Sequence, residues 1–495
     1  MVVGQRHQGA AAIGRIFAAL GHAGPTEVAD QLAGRGQRDA EAAGQFGDAQ
    51  RLTGQQLGEH RAVPRGQPVP GIGLPQLVRH LRHRTPEERR QQRHVRQHLE
   101  DLRLRRPLVP PASLRHASIV VALDIPTIGE NKTGRLPVTT LGYTDAVNDA
   151  LERLDDLGYE RGADGDLANH GPMGAEALAV LGHGDDVAAW TDGYRVAMPH
   201  HEPPAPRFAL DAADESSWRP ALGEFSRAGD WEQLFRRELD AGPWRDVLAR
   251  WWPRLLPGLL AGLTHGMIRT AHAVRGLAAA PAPGPLQLTE LARGLAYWAA
   301  RFFDLPGSPR LGGRLSLAGA VAALPRTPAT PGGPGARLRR VHEMDGYFTS
   351  LDAVAAERPQ WLLSEMTVEF AGIYLAHPEV FPVPLIHGVT APAAVRLVLP
   401  HLPAELHEPS LAALWQVHTA LLLTFTTDRQ DESGVLGRAL ETEVPGFDEL
   451  IGRAVEHGDE HVIKFTEASL REHALRPDAR FPAAVLAAQR RIPRR

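Results

Sequence analysis

The sequence predicts an all-α protein, a single multi-helix domain over residues 138–495 behind an N-terminal extension. Three observations predict it. Apolar residues recur at helical spacing almost everywhere after position 141, strand-like alternation is scarce, and β-branched clusters are few. With 495 residues, 43% of them hydrophobic, the chain has ample material for a core.

The extension comes first. Residues 1–116 hold 18 Arg, no Lys and 10 acidic residues, a balance of +8 against −12 in the rest of the chain. They also carry 13 of the 19 Gln and only two aromatics, Phe17 and Phe46. Without large apolar side chains such a segment cannot offset the entropy of ordering it. It reads as a disordered Arg-rich tail, or as an upstream region translated through a misplaced start. The second reading is preferred, because the bias has no period and residues 117–137 change composition again. The native product is then expected to begin near Val138. A basic excess suggests nucleic acid, but the rest of the composition opposes that partner.

The helical part is expected to open with a stripe of Ala146, Ala150, Leu151, Leu154 and Leu157, closed by Gly158. Trp244, Val247, Leu248, Trp251 and Trp252 form a second stripe, and Leu411, Leu414, Trp415, Val417, His418, Leu421 and Leu422 a third. Pro-rich breaks at 202–206, 281–285 and 325–335 read as surface loops.

Much chemistry is excluded. With no Cys, there is no disulfide framework, thiolate metal site or Cys nucleophile. No Gly-x-Gly-x-x-Gly joins a strand to a helix, so no flavin is expected, and Walker, Gly-x-Ser-x-Gly and His-Glu-x-x-His motifs are missing. No run approaches 18 consecutive apolar residues, which points to a cytoplasmic protein with no membrane partner. The chemistry must come from side chains or a metal in the helical core.

Histidines supply the candidates. His170 starts a helix running to about Leu181. His265 and His272, seven apart, share a helix face. His387 lies in Pro-Leu-Ile-His-Gly, and His418 sits inside the third stripe. Any one of these reads as a core histidine bonded to a carbonyl, since an unpartnered buried ring costs about 1–3 kcal/mol. Four such positions on separate segments point instead to a metal centre between facing helices. Neutral imidazoles suit Fe, Zn, Cu or Ni.

Lysine usage adds to this. The chain has two Lys against 52 Arg, and Lys464 is the only one within the predicted domain. A buried Lys can lose its proton, as Arg cannot, and then form a Schiff base or a carbamate. The competing reading is an exposed helical ion pair with Glu460, four residues earlier.

Blocks of the sequence resemble the questin oxidase-like family. They are Asn169-His170-Gly-Pro-Met with Leu-Gly-His-Gly-Asp-Asp, Thr264-His265-Gly-Met-Ile-Arg-Thr-Ala-His272, Leu385-Ile-His387-Gly-Val-Thr, and Asp459-Glu-His461-Val-Ile-Lys464-Phe. Together they span about 140–490 in collinear order. The resemblance implies oxygen-dependent ring opening of a polycyclic aromatic polyketide such as an anthraquinone, by Baeyer–Villiger-type oxidation or dioxygenase cleavage. It implies Fe(II) held by four His and a carboxylated Lys, which fall on His170, His265, His387, His418 and Lys464. Of these, His418 is placed by helix face and order alone. NADPH is implied as an external reductant, and His272 or His461 as acid/base or supporting residues. The Gly-Pro-Met after His170 is less bulky than the family pattern, so the neighbouring pocket differs. Two readings from other classes remain: an inactive helical ligand-binding or scaffold protein, and a metal-dependent hydrolase.

Overall fold

The computed structural model describes residues 141–162, 167–326, 337–355, 359–426 and 431–495. The expected extension, the expected start near Val138 and most of the 325–335 break lie outside the described residues. Within them the protein is all-α, with one two-residue hairpin as its only sheet.

The first helix, α1 (Tyr143–Arg153), buries Ala146, Ala150 and Leu151 of the expected stripe together with Val147, and it stops before Leu154 and Leu157, which that stripe includes. It ends before Gly158. The hairpin β1 (Glu160–Arg161) and β2 (Leu167–Ala168) pairs antiparallel, Glu160 opposite Ala168. It delivers the chain to α2 (Gly171–Val180), whose first turn carries Pro172, a residue suited to a position with no intrahelical donor. A Cβ at Gly171 would meet Leu154 and Tyr194 at 2.9 Å. The small residues after His170 are therefore what let this helix start against its neighbours.

After α3 (Val187–Ala197), α4 (Ala228–Ala241) and α5 (Trp244–Leu255) build an aromatic corner. Trp231, Phe235 and Trp251 meet edge-on or stacked, with centroids 5.1–5.8 Å apart. Fully burying a Phe side chain contributes about 1.5–3 kcal/mol of transfer free energy, and the larger indoles contribute more.

The next pair, α6 (His265–Ala279) and α7 (Pro285–Ala300), cross closely through two glycines. A Cβ on Gly266 would reach the Trp298 backbone, and one on Gly294 would reach the Thr270 backbone at 2.9 Å. Then come α8 (Pro359–Ala376), α9 (Pro382–Val398), α10 (His407–Phe425) and α11 (Glu432–Leu440). Finally, α12 (Phe447–His457) turns through Gly458, at φ +75°, into α13 (Glu460–Leu475), and α14 (Arg480–Arg491) closes the fold.

One segment, Pro382–His401, is apolar and long enough to cross a membrane, but 83% of it is buried inside the protein. It is a core helix. Four helices form a closed ring at the centre: α2 packs on α6, α6 on α9, α9 on α13, and α13 back on α2.

Candidate metal centre

Each helix of that ring contributes an imidazole. His170 precedes the first residue of α2, His265 begins α6, His387 lies in the second turn of α9, and His461 is the second residue of α13. All four are buried.

The backbone leading into α6 is unusual. Gly262, Leu263 and Thr264 are successive residues at φ of +54°, +57° and +68°. Leu263 and Thr264 are the only non-Gly residues of positive φ among those described. A β-branched residue in this region is strained by about 1–3 kcal/mol and persists only where its surroundings enforce it. The turn brings the Gly262 carbonyl onto His265 Nδ1 at 2.6 Å.

Tautomers follow from the carbonyls. His170 Nδ1 donates to Ala168 O at 2.6 Å, and His265 Nδ1 donates to Gly262 O. A carbonyl only accepts, so each neutral ring carries its hydrogen on Nδ1 and its lone pair on Nε2. Those two Nε2 atoms face each other at 2.6 Å. Two lone pairs at that distance repel unless both are bound by one cation. A proton is opposed by the surroundings, because burial, with the Lys464 charge next, pushes both rings well below the usual histidine value. A metal ion answers the same need, and ligand imidazoles are ordinarily fixed in this way by a hydrogen bond from the other nitrogen.

His387 fits this set. Its ring lies 4.5 Å from that of His265, neither of its buried nitrogens has a hydrogen-bond partner, and burial and His265 hold it well below the usual value. One donor atom from each of His170, His265 and His461 lies within 4.8 Å of the others. The His461 ring is 4.5 Å from that of His170 and 6.4 Å from that of His387.

Lys464 lies one turn after His461 on α13. It is only 3% exposed, and burial pushes its amine down to about 7. An amine that is neutral near pH 7 is a nucleophile. The exposed pair with Glu460 is not formed. Glu460 is itself buried, bonded to Arg161 and, at 2.5 Å, to Arg495. Burial would raise its carboxyl, but Arg161 and Arg495 overcome this and hold it well below the usual range.

Two expected site residues lie elsewhere. His418 has Nδ1 against Leu414 O and Nε2 against Gly388 O, both at 2.8 Å, with its ring 3.9 Å from that of Phe370. Both nitrogens face backbone carbonyls, and a neutral ring donates from one of them. Pro392 has no N–H for the Gly388 carbonyl, so the hydrogen falls on Nε2 and ties α10 to α9 one residue beyond His387. His272 donates from Nδ1 to Glu176 Oε2 at 2.6 Å, in a buried network with Arg275, Tyr143 and Glu467. Seven residues fall only about 20° short of two turns, so His272 shares the His265 face but lies about 10 Å further along α6, where Glu176 of α2 takes it up.

The sequence reading missed the Arg161–Glu460–Arg495 clamp, which sits directly behind the donors, with Glu460 Oε1 3.9 Å from His170 Nδ1. An isolated Arg in a two-residue strand carries no local signal for it. No family model matches the chain, and no curated protein matches it.

Proposed function

We propose that this chain is a metal-dependent oxidoreductase of the questin oxidase-like kind, opening a ring of a polycyclic aromatic polyketide with dioxygen, in the cytoplasm. The observation that carries the metal is the pair of opposed Nε2 lone pairs on His170 and His265. The reaction class rests on the resemblance of the sequence blocks.

His170, His265, His387 and His461 would hold the ion, and Lys464 would complete the set as a carbamate. The neutral Lys464 amine adds carbon dioxide and releases one proton, which turns a nitrogen donor into a carboxylate. Bound iron(II) would supply the redox chemistry that ground-state dioxygen needs to react with an aromatic ring. The chain's part is to present neutral nitrogens in fixed tautomers and to keep bulk water out. His418 fixes the position of α9, and Glu460 anchors the start of α13 beneath His461. NADPH, as an external reductant, would supply the hydride that takes a quinone to its hydroquinone before ring opening.

The test uses the full chain, prepared with iron(II) and bicarbonate, beside Lys464→Arg and His265→Ala. Near-stoichiometric iron in the parent, lost in both variants, together with oxygen uptake on reduced anthraquinones, is the expected result. A parent protein that retains no divalent metal overturns the centre. Metal-dependent ester or lactone cleavage without oxygen uptake replaces oxidation by hydrolysis.

A further inference from the structure

A second site lies away from the ring, where the loop 210–213 crosses α4 and α5. A cavity of about 520 Å³ opens there, within the range of small-molecule sites. Three guanidiniums line it, from Arg237, Arg250 and Arg254, against two carboxylates, Asp211 and Glu238.

The arginines are held in place before any ligand arrives. Arg237 Nη2 donates to Leu210 O at 2.7 Å, and Arg254 Nη1 donates to Ala212 O at 3.1 Å. The Arg254 guanidinium also lies over two indoles, 4.6 Å from Trp251 and 5.1 Å from Trp218. Fixing the fork in this way removes much of the side-chain entropy that an anion would otherwise have to overcome.

The charge is not neutralised locally. Glu238 pairs with Arg250, and one Asp211 oxygen accepts the Ala213 N–H. That leaves a cation in excess, with Arg254 facing the like charge of Arg250. Burial and Arg250 together push Arg254 below its usual value.

We infer that this cavity binds a phosphate-bearing small molecule, its phosphoryl oxygens taken by Arg250 and Arg254 with Arg237 at the rim. Paired N–H donors match phosphate oxygens in geometry and charge. The inference stands independently of the metal centre.

Calorimetric titration of the full chain at low ionic strength tests it, with inorganic pyrophosphate and ADP as separate probes. Binding is expected, weakened about ten-fold in Arg250→Gln and in Arg254→Gln. Glu238→Gln removes the competing carboxylate and is expected to tighten binding, an effect that a damaged fold cannot mimic. ADP binding more tightly than pyrophosphate assigns the phosphate to a nucleotide, and equal affinity assigns it to the phosphate group alone. No binding of either probe at about 1 mM, or affinities unchanged across the three variants, overturns the inference.

Discussion

His387 and His418 occupy neighbouring helices and differ in what their nitrogens meet. His387 has no partner on either, while His418 has a carbonyl on each. Replacing His387 by Ala is expected to remove most of the bound metal. Replacing His418 by Ala should leave metal content near the parent value but cost about 1–3 kcal/mol, because the Gly388 carbonyl loses its donor in the core. Metal analysis beside urea unfolding separates the two. Glu176 gives a second prediction at this scale. Burial would raise it, yet the Arg275 charge and the His272 hydrogen bond bring it down to about 2 from 4.5. A depressed carboxylate contributes stability in full above pH 4.5 and loses it as the pH falls to about 2. That contribution is about 3 kcal/mol. Glu176→Gln should flatten the acid limb of a stability–pH curve across that window. The imidazoles were legible in the sequence because a polar ring inside an apolar run demands a partner, and Lys464 because it is nearly unique. The burial of Glu460 was not legible. Its partner Arg161 lies 299 residues away, and helical spacing carries no information about so distant a contact.

The helices divide by how much of their circumference is buried. On α1 and α5 one face is covered, and their stripes are plain in the sequence. On α10 every residue from Ser410 to Phe425 is buried, so its expected stripe is only part of an all-round core surface. α9 is buried almost throughout its length, and periodicity shows no face there either. The left-handed run before His265 was equally hidden, since neither Leu263 nor Thr264 belongs to the residue types that favour positive φ. Glycines set the contacts between elements. Gly294→Ala drives a methyl into the Thr270 backbone and should cost about 1–3 kcal/mol. Gly276→Ala, on α6, meets only the Tyr143 hydroxyl at 4.0 Å and should stabilise by about 0.5–1 kcal/mol through helix propensity. Thermal unfolding of the two variants checks the opposite signs.

At the scale of the whole molecule, the closed ring of α2, α6, α9 and α13 brings the histidines of four separate segments together. An ion that binds the folded ring and not the unfolded chain stabilises by RT ln(1 + [L]/Kd), about 2.7 kcal/mol at a hundredfold excess over Kd. Chelator treatment should therefore lower the unfolding midpoint, and iron(II) should restore it. A midpoint indifferent to both would leave the opposed lone pairs without the ion argued for them. The all-α class was open to reading because it is the sum of many local patterns. The ring was not, because which helix packs on which depends on contacts between segments hundreds of residues apart.

The same ring has a consequence for timing. Synthesis runs from the N-terminus, so a growing chain contains His170, His265 and His387 long before it contains His461 and Lys464. A partial product can display three imidazoles but has neither of the α13 groups, so the full donor set exists only once α13 has been made. On the proposed reading, metal would enter only after α13 is made, and a chain truncated before α13 would not acquire the centre.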